Sequence, residues 1–217
     1  MKKLLLLLLL IPNLVFSEGV IHKIKGEVYV NGSKATKDYE LKNGDKIETR
    51  DGLVTLLFED EVYKIRSNTI FILPDNEVKS PSSLIKGAVI AAFKKGGERK
   101  MKINPTTVLS IRGTGVYVKN IVGEKMRYCL CYGKSALETH NHSHSTNTES
   151  KYHKEFIISS TGKIRKFKLN EFEMNHYSLE NIELEKVLGN ETPFKSYYRN
   201  IVAFFQRSPF IVSLFNI

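Results

Sequence analysis

The sequence predicts a mainly β chain, built as a sandwich, a barrel or a coiled stack of strands, with a short α-helical extension at its C-terminal end. Three observations carry this reading. Asn-Gly and Asp-Gly pairs recur at close spacing, at Asn31-Gly32, Asn43-Gly44 and Asp51-Gly52, and supply the positive φ angles that tight strand connections need. The runs between them are rich in β-branched and aromatic residues and show no helical period. After Lys168 the pattern changes, and apolar residues fall at helix-like spacing.

Each element follows in order. Lys2 and Lys3 precede seven leucines, Leu4 to Leu10, and then "IPNLVFS". A basic start, an apolar run and a small residue at Ser17 are the marks of a secretory signal peptide, cleaved after Ser17. The apolar stretch from Leu4 to Phe16 is shorter than the ~20 residues a membrane span needs, and the alternative to cleavage is an uncleaved anchor. Neither cysteine lies near the start, so no lipid-attachment motif is expected. The expectation is a periplasmic or secreted protein with no transmembrane span in the mature chain. "VIHKIKGEVYV" then reads as strand up to the turn at Asn31, and "KIETR", "LVTLLF", "VYKIR" and "TIFIL" as further short strands. "SSLIKGAVIAAFKKGG" suits helix or strand, and Gly87, Val89 and Ile90 favour strand. "TTVLSIRGTGVYVKN" holds two apolar runs hinged at Gly113 and Gly115, where glycine signals a bend or a close backbone approach. "SLENIELEKVLGN" reads as a helix capped by Ser178 and closed by Gly189. "PFKSYYRNIVAFFQR" puts Phe194, Tyr197, Tyr198, Ile201, Val202 and Phe205 on one face of a second helix. The apolar tail "FIVSLFNI" either packs on the β module or docks on a partner or bilayer. The expected organisation is a signal peptide over 1–17, a β domain over 18–122, a Cys/His-bearing β extension over 123–170 and a helical segment over 171–217.

The formal net charge is +10, with two of the basic residues at Lys2 and Lys3. For an exported protein such a charge suits acidic envelope surfaces better than nucleic acid, and the plainer reading, favoured here, is solubility. Basic residues alternate with apolar ones, as in "GKIRKFK", so no compact basic patch is expected. The sequence has no Gly-x-Ser-x-Gly elbow, no His-Glu-x-x-His and no Gly-x-Gly-x-x-Gly. Glu59, Asp60 and Glu61 fall in an expected turn, which does not support a glycosidase-like acid pair. His22 alternates with strand residues and needs no special role.

The chemistry concentrates in "MRYCLCYG". In a strand, residues two apart share a face, so Cys129 and Cys131 point the same way. Two thiolates on one face are good soft ligands for zinc or copper(I). They make a poor disulfide, because the Cα separation of strand residues i and i+2, about 6.5–7 Å, is at the edge of bridging geometry. Two ligands do not complete a metal site. A local supplement is His140, His142 and His144, which alternate within a polar loop. The alternatives for the cysteines are a disulfide or two buried small apolar residues.

"GEVYVNG", "LKNGDKIETRDGLVTLLFED" and "TTVLSIRGTGVYV" together resemble the FecR domain family over roughly Val20 to Val118, with Ile111-Arg112-Gly113-Thr114 intact. Beyond it, Cys129-Leu130-Cys131-Tyr132-Gly133, "KYHKEFII", Asn175-His176-Tyr177-Ser178 and "LEKVLGNETPF" are similar to the extension of exported FecR-like proteins. Tyr152 stands where that pattern has the first of two adjacent histidines. The resemblance implies a β-rich, solenoid-like fold, a sensory or interaction role and no catalysis. It also implies His153 and His176 as partners of Cys129 and Cys131 for zinc or copper. The regulator that names the family contacts a sigma factor inside the cell; with a signal peptide here, direct sigma-factor control is not expected. The leading expectation is an exported, non-catalytic binding or sensing module whose partner is an envelope protein or surface. The alternatives are a thiol–disulfide exchange enzyme using the Cys-x-Cys pair and an envelope scaffold.

Overall fold

In the computed structural model, residues 18–120, 125–139, 144–190 and Phe194 are described. The expected signal peptide, His140, His142, the second helix apart from Phe194, and the apolar tail lie outside the described residues.

The chain is mainly β, as its turn and strand signals predict. In order it forms β1 (Gly19–Lys25), β2 (Val28–Val30), β3 (Ser33–Lys34), β4 (Glu40–Leu41), β5 (Lys46–Thr49), β6 (Leu53–Phe58), β7 (Glu61–Ile65) and β8 (Thr69–Ile72). There follow β9 (Ser82–Phe93), β10 (Arg99–Asn104), β11 (Thr107–Asn120), β12 (Met126–Thr139), β13 (His144–Ser150), β14 (Lys154–Ile158), β15 (Ile164–Phe167) and one helix, α1 (Glu171–Val187). Asn31 and Gly32 have φ of 50° and 82° and turn β2 back onto β3, as the Asn-Gly signal requires. The stretch from Ser82, suited to helix or strand, is strand. The two runs of "TTVLSIRGTGVYVKN" are one strand whose register with β12 shifts between Arg112 and Val116.

All the strands belong to one open sheet. Its main path runs β15-β14-β12-β11-β10-β9-β7-β6-β1-β4, with β13 beside β12 and β2, β3, β5 and β8 joined on through β9. β9 is the junction. Its first half pairs with β8 at Leu84 and Lys86, and its second half pairs with β7 at Val89 to Phe93. Gly87 sits between the halves at φ 93°, and a Cβ there would lie 2.2 Å from Thr69 Oγ1. Only glycine accepts both that angle and that contact.

Alternation then divides the buried side chains between two faces. Val89, Ala91, Val116, Val118, Tyr128 and Leu130 enter the large apolar core with Val28, Ile47 and Phe71. The intervening residues Ala88, Ile90, Tyr117, Cys129 and Cys131 face the other way, into a second core shared with Tyr177, Ile182 and Leu184 of α1 and with Phe194. β9, β11 and β12 are therefore covered on both faces where the helix crosses them, which is why they read as near-continuous apolar runs.

The helix begins earlier than Ser178. Asn170 is its N-cap, accepting from Glu173 N at 2.8 Å, while the Glu173 side chain accepts from Asn170 N. This capping box satisfies two of the backbone donors that a helix start leaves unpaired. Ser178 lies inside the helix and bonds back to Met174 O at 2.9 Å, an arrangement open to serine within a helix. The C-terminal signal stands as expected: Gly189, at φ 71°, donates to Lys186 O, and Asn190 N donates to Glu185 O, the paired bonds of a Schellman closure.

Candidate metal centre

Strand periodicity places both sulfurs under the helix. Cys129 pairs with Tyr117 on β11 and with Glu155 on β14. β12 changes neighbours just beyond it: residues up to Leu130 pair with β14, and residues from Gly133 pair with β13. The chain linking β13 to β14 crosses this gap, and His153 N donates to Cys131 O at 2.9 Å. His153 has φ 37°, an uncommon conformation for a non-glycine residue, and it turns the ring in over the two cysteines.

The result is a closed cluster. Cys129 Sγ lies 3.5 Å from His153 Nδ1 and 4.0 Å from Cys131 Sγ. The three ligand atoms all lie within 4.8 Å of one another, so these residues can hold a metal ion. Both cysteines are fully buried and reduced. The imidazole is fixed on its other edge by Ser178, whose Oγ is 2.6 Å from Nε2. Because the Ser178 hydroxyl already donates to Met174 O, it accepts from His153, so the proton sits on Nε2. The Nδ1 lone pair is left facing the sulfurs, the tautomer a metal ligand requires. Phe194 stacks on the ring at 5.3 Å between centroids, and Tyr152 meets it edge-on at 4.8 Å.

The thiols behave as a pair. Burial pushes both up, because a thiolate loses its hydration there. For Cys131 that push is outweighed by the hydrogen bond from the Cys129 thiol, which holds it below the ordinary thiol range. Cys129 is held well above the ordinary thiol range by burial and by the neighbouring Cys131 charge. The two shifts are opposite, so Cys131 gives up its proton before Cys129.

His176, the fourth expected ligand, is not part of this cluster. Its Nε2 lies 3.1 Å from Arg66 Nη2 and 3.4 Å from Glu180 Oε2. The reason is helical geometry: residues two apart on a helix point about 200° apart, so Ser178 and His176 cannot both face His153. Burial pushes the His176 pKa down, and its neighbours form a separate network in which Glu180 also takes Lys64 at 3.0 Å. Of the local histidine set, only His144 falls among the described residues, at the start of β13 opposite Thr139.

A second polar contact ties helix to sheet beside the site. Arg127 Nε donates to Glu155 Oε1 at 2.6 Å and Nη2 to Glu173 Oε1 at 3.0 Å, joining β12, β14 and α1. Gly115 lets the helix approach: a Cβ there would lie 2.0 Å from Asn181 Oδ1. Glu155 and Glu173 carry no signal in the sequence. Ser178 had the residue type of a cap, and only the true helix start reveals its inward role.

No protein-family model matches the chain, and no curated protein matches it. Two solved structures match, both crystal structures of a "putative anti-sigma factor from Parabacteroides distasonis ATCC 8503", at 1.65 and 2.50 Å resolution. Each is 12% identical over 58% of this chain and 60% of that chain, with a TM-score of 0.49. The chain thus spans 60% of the length of those proteins.

Proposed function

We propose that this chain is an exported, non-catalytic binding or sensing module of the FecR-like type, in which Cys129, Cys131 and His153 hold a zinc or copper ion between sheet and helix. The observation that carries this reading is the convergence of two sulfurs and one oriented imidazole nitrogen within 4.8 Å in the second core. The ion would close that set, and through the His153–Ser178 bond it would fasten α1 to the sheet. Export rests on Lys2, Lys3 and the leucine run that follows them. Thiol–disulfide exchange is the weaker reading, because it needs an exposed sulfur and both sulfurs are fully buried.

The test is thermal unfolding of the purified, reduced chain with and without zinc or copper. A ligand that binds only the folded state, at a hundredfold excess over its Kd, adds about 2.7 kcal/mol. For a chain of this size that raises Tm by about 5–10 °C. Cys129→Ser is expected to abolish the rise. An unchanged Tm in the reduced wild-type protein overturns the proposal.

A further inference from the structure

We infer that the site formed by Cys129, Cys131 and His153 takes copper(I), held by three ligands, in preference to zinc(II). This rests on the reading above that the three residues bind a metal, and it goes further by assigning which one.

The first argument is donor number. Structural zinc is almost always four-coordinate, yet among the described residues no fourth cysteine, histidine, aspartate or glutamate joins the cluster. His176, the natural candidate, is committed to Arg66 and Glu180. Ser178 Oγ is engaged by the far nitrogen of His153 and by Met174 O. Copper(I) is a soft ion with a preference for thiolates, and with a single positive charge it is satisfied by two or three donors.

The second argument is the wall of the site. A zinc ion short of one protein ligand completes its shell with water, and a buried water needs about two to four polar partners of its own. Around this cluster, among the described residues, stand Phe194 against the imidazole face, Tyr152 against its edge, fully buried sulfurs and a single amide, that of Asn181 beside Cys131, which is fewer polar partners than such a water needs.

Charge works the other way. Zinc on two thiolates is neutral, whereas copper(I) leaves one negative charge, and Arg127 beside the site is already taken by Glu155 and Glu173. The lack of a fourth donor among the described residues outweighs this, because it costs zinc a whole coordinate bond, and bis-thiolate copper(I) forms as an anion with no fourth ligand.

The experiment is a competition on the purified full chain, with both thiols reduced and oxygen excluded. Copper(I) and zinc(II) salts are the probes, each buffered by a chelator of known affinity. The expected result is one copper(I) per chain, bound about a hundredfold more tightly than zinc(II). X-ray absorption of the copper-loaded chain should show two sulfurs and one nitrogen in three-coordination. Ser178→Ala keeps all three ligands but releases the imidazole, and should weaken copper(I) binding by about tenfold. Zinc bound as tightly as copper(I), or four-coordinate copper, overturns the copper assignment while leaving the metal site standing. Binding of neither metal to the reduced chain overturns the site, and the assignment with it.

Discussion

His153 does its work through a tautomer. The Ser178 hydroxyl is committed to Met174 O, so it accepts the Nε2 proton and leaves Nδ1 to the sulfurs. A single serine within a helix thus sets the chemistry of a ring on the sheet. A different residue on the same helix carries the molecule's clearest pH signal. Glu185 is buried, and burial raises its pKa from 4.5 to about 6 against the hydrogen bond from Asn190. A carboxyl group whose folded pKa exceeds its unfolded value binds its proton more tightly when folded. Its stabilisation is therefore complete below about pH 4.5 and is lost as pH rises through about 6. Ionisation then costs about 2 kcal/mol at neutral pH. Glu185→Gln is expected to be more stable than the parent by up to that amount at pH 7, and to lose the advantage at pH 4.5. Urea unfolding at the two pH values measures it; equal stability of the two proteins at pH 7 removes Glu185 from the pH profile.

At the scale of elements, α1 is held by its ends and by polar contacts as much as by apolar packing. Its capping box supports a helix whose buried side includes Asn175, Ser178, Glu180, Asn181 and Glu185. Asn170→Ala should cost about 1 kcal/mol by removing the cap, read as a lower urea midpoint with the slope unchanged. No change in midpoint would mean that packing alone fixes the helix start. The same polarity explains what the sequence conceals. Strand turns are legible, because Asn31-Gly32 and Gly87 have angles that few residues accept. The common face of Cys129 and Cys131 is legible too, because a period of two admits no other arrangement. The helix register is not legible: when asparagine, serine and glutamate are buried, the 3.6-residue apolar pattern fades, and Ser178 is taken for a cap. With the start displaced to Ser178, the orientation of His176 is lost as well. His153 carries no signal in strand or helix period, since it lies in a corner with positive φ, and only the family resemblance pointed to it.

For the whole molecule, the consequence is a sheet with two working faces. One encloses the large apolar core, which takes residues from Ile21 of β1 through to Ile158 of β14. It continues from β11 into β12, which pair along most of their length. The other face carries α1 and the thiolate–imidazole cluster, so anything bound there joins the C-terminal part of the chain to the middle of the sheet. No helix among the described residues is long and apolar enough to cross a membrane.

The ion proposed for the second core is tested most directly by elemental analysis of the purified, tag-free chain, paired with a count of thiols before and after chelation. The expected result is one zinc or copper per chain, with both cysteines unreactive until the metal is stripped and both reactive afterwards in the unfolded protein. Chain recovered without metal, in which the two thiols are free and remain so when metal is supplied, would contradict it.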